Sequence, residues 1–204
     1  MLRNLQALVV LFLLISFPSY GQNWGIGFRL GDPSGLTVKK YSGNHAFELN
    51  IGRSHMFAGN DYYYRSYGRW YDGKHFGYKD HEFLDYHGTI PLGLQFHYLV
   101  QKNVKSATGL DWYYGIGAQL RWQTYRFDYR YKWDNGNGNG DDWIYVHDER
   151  VSETDIGVDG VIGLEYKFKD APVSLFVDGT LFMEVADDPF VFWPQFGLGA
   201  RFRF

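Results

Sequence analysis

Apolar and polar residues alternate along much of this chain, and the alternation is clearest in the final segment. Over residues 192–204 the even positions are almost all apolar, whereas the odd positions are mainly polar, charged or glycine. A period of two is that of a β-strand, in which successive side chains point to opposite faces of the sheet. The segment therefore predicts a strand with one apolar face and one face that is polar or very small.

Seven further segments show the same alternation, at residues 24–30, 36–39, 46–51, 90–98, 110–122, 156–168 and 173–185. Strands of about ten residues with this pattern are typical of outer-membrane barrels, where lipid-facing and lumen-facing side chains alternate. The sequence thus predicts an all-β fold, an eight-stranded antiparallel up-and-down transmembrane β-barrel. Some positions do not fit: Phe176 and Phe182 fall on a polar face, and Gly160 and Gly179 fall on apolar faces.

The connections between these segments support the same topology. The second, fourth and sixth, at about 42–44, 101–108 and 169–172, are short, whereas the third and fifth, at about 53–87 and 126–154, are long. Outer-membrane barrels have short periplasmic turns and longer extracellular loops. If the first strand starts in the periplasm, both long connections fall outside the cell, and an even number of strands returns the chain to the periplasm.

The first residues predict export. Arg3 precedes an apolar run from Ala7 to Phe17, and the small residues Ser19 and Gly21 stand before Gln22. This order is typical of a secretory signal peptide, and the run is too short for a spanning helix, which needs about 20 residues. We expect residues 1–21 to be removed and residues 22–204 to form a barrel in the cell outer membrane of a Gram-negative bacterium.

Composition narrows the function classes. The chain has no cysteine, a net charge of −3 and 20% aromatic residues. The charge argues against a nucleic-acid partner, which requires a clustered basic surface. Tryptophan and tyrosine near the ends of the apolar faces fit the aromatic girdles of a membrane protein. We predict no cofactor.

The chain resembles small outer-membrane β-barrels of Bacteroidota-type bacteria and, more loosely, the eight-stranded OmpA and OmpX class. The resemblance implies that Phe202 and the terminal Phe204 form the signal read by the barrel-assembly machinery. It also implies outer-membrane lipid as a partner, and it is unspecific for activity. Three segments carry it: Gly21-Gln22 at the signal junction, Gly35-Leu36-Thr37-Val38-Lys39-Lys40-Tyr41 with the tight turn after it, and Gly199-Ala200-Arg201-Phe202-Arg203-Phe204.

The polar face of the predicted strands carries charges of both signs. An eight-stranded barrel has an interior just wide enough to be filled by side chains, and unpaired charges are costly there. We therefore predict a filled, charge-paired lumen, with a narrow path for protons or small ions as the alternative. A general diffusion pore is excluded, because aqueous channels occur in barrels of about 16 strands. The predicted network consists of Arg29, Glu48, Arg121, Asp159, Glu165, Lys167, Asp178, Glu184, Arg201 and Arg203.

The long third connection is rich in aromatic residues and also holds four histidines without close metal-ligand spacing. Aromatic side chains offer large contact area at low entropic cost, so we hypothesise that this segment contacts lipopolysaccharide, a glycan or another protein outside the cell. The alternative is that the strands extend beyond the membrane and the rings pack on one another. The predicted contact surface consists of Tyr62, Tyr63, Tyr64, Tyr67, Trp70 and Tyr71.

The fifth connection contains alternating asparagine and glycine, from Asn135 to Gly140. Oxygen ligands on a flexible backbone are typical of calcium loops. However, Val146 stands where the helix-loop-helix calcium pattern requires Glu at its twelfth position. We predict a flexible chain reversal here and no metal site.

Catalysis on such a scaffold has a specific requirement, namely a nucleophile or base near the membrane edge. The best local cluster is His147-Asp148-Glu149 with Ser152, and it lies in a predicted loop, while His97 has no serine nearby on its own face. We predict no catalytic residue and a structural, adhesive or partner-binding barrel. The alternatives are a lipid-modifying enzyme, such as a lipid A deacylase or acyltransferase, and a soluble periplasmic sandwich.

Overall fold

The computed structural model describes residues 23–54, 60–74, 80–88, 91–133, 142–186 and 190–204. The predicted signal peptide, the Asn/Gly segment from Asn135 to Gly140, and both His55 and His75 lie outside the described residues. Within the described ranges the chain forms nine strands and one helix, in this order: β1 Trp24–Gly31, β2 Ser34–Ser42, β3 His45–Arg53, α1 Asn60–Gly73, β4 His81–Gly88, β5 Leu92–Asn103, β6 Leu110–Trp133, β7 Asp142–Lys167, β8 Val173–Glu184 and β9 Phe192–Arg203.

Eight of the strands close into a ring. Each pairs antiparallel with its neighbours in the order β1, β2, β3, β5, β6, β7, β8 and β9, and β9 pairs again with β1. The closing seam extends to the last paired residues of β1 and β9, because Trp24 and Phe204 exchange two backbone hydrogen bonds of 3.0 and 2.9 Å. The predicted eight-stranded up-and-down barrel is confirmed, and the two-sheet sandwich is wrong because the sheet closes on itself.

The two long connections are more ordered than the sequence predicts. Strands β6 and β7 run for 24 and 26 residues and pair with each other nearly throughout, so most of the predicted loop at 126–154 is a hairpin that rises beyond the ring. The third connection holds α1 and the additional strand β4, which pairs with β6 from Tyr125 to Tyr131, directly beyond β5. These parts lie at the end of the ring opposite Trp24 and Phe204, which we call the far end.

The alternation translates into an apolar exterior and a polar interior. Phe28, Ile116 and Phe196 are among the outward residues, and they are 70, 72 and 67% exposed. Inward residues such as Arg29 and Arg201 are each 1% exposed. We call the band of outward apolar residues on the eight ring strands the apolar belt. Among the described residues, no helix has the length and hydropathy needed to cross a membrane.

Inward glycines make room for the two phenylalanines that did not fit the pattern. A Cβ at Gly199 would lie 2.6 Å from the ring of Phe176, and a Cβ at Gly157 would overlap the ring of Phe182. Both rings are buried inside the ring of strands, at 4 and 0% exposure. The interior is therefore packed by large side chains that lie over glycines of neighbouring strands, and not by charges alone.

Candidate functional site

The centre of the lumen holds two acids and two bases in mutual contact. Arg201 contacts Glu48 at 2.6 Å and Glu165 at 3.5 Å, and Lys39 contacts the same two carboxylates at 3.8 and 2.9 Å. All four side chains are at most 1% exposed. Because each charge faces two of opposite sign, this centre is electrically balanced, as burial of charges away from the surface requires.

Neutral donors complete the coordination of Glu165. Its carboxylate accepts hydrogen bonds from Tyr41 at 2.6 Å, Ser174 at 2.9 Å and Gln101 at 3.1 Å. These residues come from β2, β8 and β5, so one carboxylate on β7 ties together strands on opposite sides of the ring. A buried carboxylate is stabilising when its hydrogen-bonding capacity is satisfied, and Glu165 has five such contacts.

His97 lies between two carboxylates beside the same centre. Its Nε2 atom is 3.2 Å from Asp159 and its Nδ1 atom is 3.8 Å from Glu48, and the ring is 1% exposed. Gly117 stands between His97 and Asp159 in the strand pairing, which leaves space for their contact. The carboxylate within reach of His97 thus lies deep in the filled lumen, away from any opening in the barrel wall.

Two guanidinium groups stack on the inward phenylalanines. Arg201 lies 3.6 Å from the ring centroid of Phe176, and Arg121 lies 3.9 Å from that of Phe182. A guanidinium is weakly hydrated and favours such stacking. Elsewhere in the lumen, Arg29 donates a hydrogen bond of 2.6 Å to Asp178.

The remaining predicted lumen residues lie nearer the two ends. At the end of the ring that holds Trp24 and Phe204, Lys167 pairs with Asp111 at 2.7 Å, and Arg203 donates to the carbonyl of Phe168 at 3.1 Å. Lys167 and Arg203 are partly exposed, so they lie at the mouth of the lumen. Towards the far end, Glu184 is 6% exposed.

The lining of the barrel changes beyond Gln123. Apart from Tyr113, the inward residues of β6 up to this position are polar residues and glycines, and the following inward residues are Tyr125, Phe127 and Tyr129, all at most 4% exposed. Helix α1 packs its rings against them. We call this packed group the far-end aromatic cluster; its buried members are Tyr67, Tyr71, Tyr125, Phe127, Tyr129 and Val151, and its partly buried members are Tyr63, Trp70, Phe83, Tyr86, Tyr131, Val146 and Trp193.

The predicted aromatic contact surface is largely internal. Tyr67 and Tyr71 are 2 and 3% exposed, and His81 stacks on Tyr71 at 3.9 Å, so these rings form the interior of the cluster. Tyr63 and Trp70 are partly buried, whereas Tyr64 is 62% exposed. The arrangement matches the alternative interpretation, in which the rings of the third connection pack on one another. The side chain of Tyr62 lies outside the described residues.

Burial in this cluster changes the acidity of its phenols. Desolvation raises the pKa of Tyr129 to about 12, with smaller contributions from Glu149 and Tyr71. The pKa of Tyr67 is raised as well, first by desolvation and then by its phenolic neighbours. Both groups stay neutral at physiological pH, as expected for rings that act in packing.

A cleft opens at the far end between α1 and the β6–β7 hairpin. Its volume is about 1070 Å³. Across it, Arg69 of α1 contacts Glu153 of β7 at 3.1 Å, and Gln123 donates to the same carboxylate at 3.3 Å. We call it the far-end cleft; its lining residues are Ser66, Arg69, Trp70, Asp72, Gly73, Lys74, Tyr125, Phe127, Val151, Ser152, Glu153, Thr154 and Ala186.

The predicted catalytic candidates do not come together as a nucleophile and base. His147 contacts Asp128 at 3.3 Å on the exposed surface, and the backbone N–H of Asp148 is the main reason why the pKa of Asp128 is lowered. The Ser152 hydroxyl contacts Thr124 at 3.3 Å. Among the residues that the structure describes, no three acidic or histidine side chains are placed to hold a metal ion.

Sequence reasoning missed several residues that organise the site. Tyr113 lies under Lys39, whose Nζ is 4.2 Å from the ring centroid, and it is fully buried at 0% exposure. Tyr113 stands at an odd position of β6, and the odd positions of this strand face the lumen. This position was the signal in the sequence that could have identified Tyr113 as a lumen residue. The inward aromatics Tyr125 and Phe127 carried the same signal, but Tyr125 lay beyond the predicted strand at 110–122 and Phe127 lay in the predicted connection at 126–154. Phe202 and Phe204 stack at the seam, with ring centroids 6.4 Å apart.

No family of known proteins matches the sequence, and no curated protein is similar to it. Among solved structures, the crystal structure of Neisserial surface protein A is similar to this chain, with a TM-score of 0.41 and 13% identity over 89% of this chain and 94% of that one. Similarity at this level identifies no function, and the barrel follows from the strand pairings of this chain alone.

Proposed function

We propose that the protein is an integral outer-membrane β-barrel with a filled, charge-paired lumen, and that it acts through the structure at its far end, outside the cell. The apolar belt carries the proposal. It surrounds all eight ring strands, whereas the largest apolar patch on a soluble monomer is typically about 300–600 Å². An exterior of this kind, combined with an interior of paired charges, is the arrangement that a bilayer stabilises.

The direct test is expression in a Gram-negative host, followed by membrane fractionation and gel migration with and without boiling. The folded barrel is expected in the outer-membrane fraction and is expected to migrate differently after heating. Proteolysis of intact cells is expected to cut only far-end segments. Recovery of the protein in the soluble periplasmic fraction would refute the membrane assignment.

We also propose that Phe204, the aromatic residue directly after β9, directs assembly. Phe204 is half exposed beside the closing seam, where the barrel-assembly machinery could reach it during biogenesis. Phe204→Ala is expected to lower the amount of assembled barrel severalfold in cells. Phe190→Ala is the matched control, because Phe190 is 76% exposed in the turn before β9 at the opposite end. Equal assembly of both variants would contradict this role.

A closed lumen predicts the absence of a conducting pore. Lys39, Glu48 and Glu165 meet in the centre with at most 1% exposure, so these side chains fill the lumen at that level. Planar-bilayer recordings are expected to show no stable single-channel current. Regular conductance steps would instead favour the narrow ion path.

A lipid-modifying enzyme is the second candidate, and the exposed contact of 3.3 Å between His147 and Asp128 is the observation in its favour. If it is correct, cells that produce the protein are expected to show an altered acylation of lipid A by mass spectrometry, and His147→Ala is expected to abolish the change. Unaltered lipid A in producing cells would support the non-enzymatic barrel.

A further inference from the structure

The far-end cleft lies just beyond the apolar belt. Thr154, one of its lining residues, pairs with Trp122, which is the last outward aromatic of the belt on β6 and is 54% exposed. Its volume of about 1070 Å³ exceeds the range of about 300–1,000 Å³ that is usual for pockets holding small ligands. The cleft can therefore take a ligand of more than one ring, at the surface of the proposed membrane.

The lining combines three kinds of group. The accessible aromatic side chain is that of Trp70, because Tyr125 and Phe127 are only 2 and 0% exposed, and hydroxyl groups come from serine and threonine residues. Planar charged groups come from Arg69 and Glu153, whose side chains are 41 and 13% exposed, respectively. Aromatic rings attract the partly positive C–H faces of sugar rings, and planar charged groups can bind two neighbouring hydroxyls at once. This combination suits a polyhydroxylated ligand.

The charges on the cleft argue against an anionic ligand. Arg69 and Lys74 contribute two positive charges, and Asp72 and Glu153 contribute two negative ones, so the lining has no net charge. A phosphate group would require an excess of cations or a cluster of backbone N–H donors. The electrostatics therefore favour a neutral ligand over phosphorylated lipid headgroups.

We infer that the far-end cleft binds a neutral oligosaccharide, with Trp70 packing against a sugar ring and the Arg69–Glu153 pair hydrogen-bonding to its hydroxyls. This inference rests on the proposed function, because it requires the far end to face the exterior of the cell. The Arg69–Glu153 contact of 3.1 Å already orients both groups before a ligand arrives. A preorganised pair of this kind lowers the entropic cost of binding.

The test uses the full barrel in nanodiscs made of phospholipid alone. Binding is measured on an array of neutral glucose, galactose, mannose and N-acetylglucosamine oligomers, with phosphorylated core oligosaccharide as the anionic comparison. Glu153→Gln removes the charge while keeping the shape, and Trp70→Leu removes the ring. Asp148→Asn is the matched control, because Asp148 is also a β7 carboxylate paired with an arginine, Arg126 at 3.7 Å, and it does not line the cleft.

The expected result is saturable binding of at least one neutral oligomer, weakened by about tenfold or more in Glu153→Gln, as the loss of a charge-assisted hydrogen bond implies. Trp70→Leu is expected to weaken it similarly, and Asp148→Asn is expected to leave it unchanged. Absence of binding across the neutral array, stronger binding of the phosphorylated oligosaccharide, or an equal effect of Asp148→Asn would overturn the inference. Heat-modifiable migration of the same samples separates this failure from a failure of the barrel itself.

Discussion

Replacement of Glu165 by glutamine is the sharpest test of the charge-paired lumen. The carboxylate contacts Lys39 at 2.9 Å and Arg201 at 3.5 Å and accepts a 2.6 Å hydrogen bond from Tyr41. Glutamine keeps the size of the side chain but leaves two buried bases facing one remaining carboxylate, Glu48. The N–H₂ group of the glutamine amide is itself a hydrogen-bond donor, and it would face groups that now donate hydrogen bonds to the Glu165 carboxylate.

Removal of one partner from a buried ion pair typically costs about 3–5 kcal/mol. In the barrel the loss falls within a network of five contacts at a fully buried carboxylate, so we expect the upper part of that range. Every 1.4 kcal/mol changes an equilibrium constant by about tenfold. The ratio of folded to unfolded barrel is thus expected to fall by about a thousandfold.

The assay is guanidinium-induced unfolding of the purified barrel in detergent micelles, followed by tryptophan fluorescence and by heat-modifiable migration. Asp148→Asn provides the control, because Asp148 forms an exposed pair of 3.7 Å with Arg126. Exposed pairs contribute about 0–1 kcal/mol, so this variant is expected to unfold at nearly the same midpoint as the unmodified barrel.

A double variant tests whether unbalanced charge is the cause of the loss of stability in Glu165→Gln. Adding Lys39→Met to Glu165→Gln removes the excess positive charge, so the combined loss is expected to be smaller than the sum of the two single losses. Strict additivity, or a loss for Glu165→Gln no larger than that for Asp148→Asn, would refute the argument that balanced charge holds the lumen together.

Two further predictions address packing and pH. Gly199→Ala is expected to cost about 1–3 kcal/mol in unfolding free energy, because its Cβ would overlap the Phe28 carbonyl and the Phe176 ring, whereas Gly179→Ala, whose Cβ meets an ordinary contact at 3.7 Å, is expected to be nearly neutral. The pKa of Tyr129 is raised from 10.0 to about 12, so its contribution to stability is present below pH 10 and is lost between pH 10 and 12, where the unfolded phenol ionises first. Tyrosinate absorbance is expected to show this delayed ionisation, and its disappearance in Tyr129→Phe would confirm the assignment; a normal titration would contradict it.

The ring of strands could be predicted from the sequence because the environment of the side chains alternates between the outside and the lumen at every second residue. Where lipid-facing and lumen-facing environments differ most, as at Phe196 and Arg201, polarity alone assigns each side chain to a face. The pairing partners inside the lumen were less predictable. Nothing in the spacing of Lys39 and Glu165, which are 126 residues apart in sequence, shows that they meet.

Phe176 and Phe182 contradicted the alternation for a reason that a single strand cannot show. Each ring occupies space left by a glycine on a neighbouring strand and supports a guanidinium on its other side. An inward phenylalanine is therefore compatible with a polar lumen when a glycine of a neighbouring strand lies directly opposite it, as Gly199 does for Phe176, or two residues along the pairing, as Gly157 does for Phe182. The pattern that explains these residues joins a phenylalanine on one strand to a glycine on the neighbouring strand. It can be recognised only when the pairing register of the two strands is known.

The hairpin of β6 and β7 was assigned to a loop because its alternation reverses. Up to Trp122 the even positions of β6 are apolar and exposed, but beyond it the even positions include Arg126, Arg130 and Lys132, and the odd positions become aromatic and buried. The strand continues without a break, so the reversal records a change of surroundings and not of structure. In the proposed membrane arrangement, water replaces lipid on the outside beyond Trp122, and an aromatic core replaces the charged lumen on the inside. The position of this reversal places the outer boundary of the proposed membrane close to Trp122, and the far-end cleft begins directly beyond it.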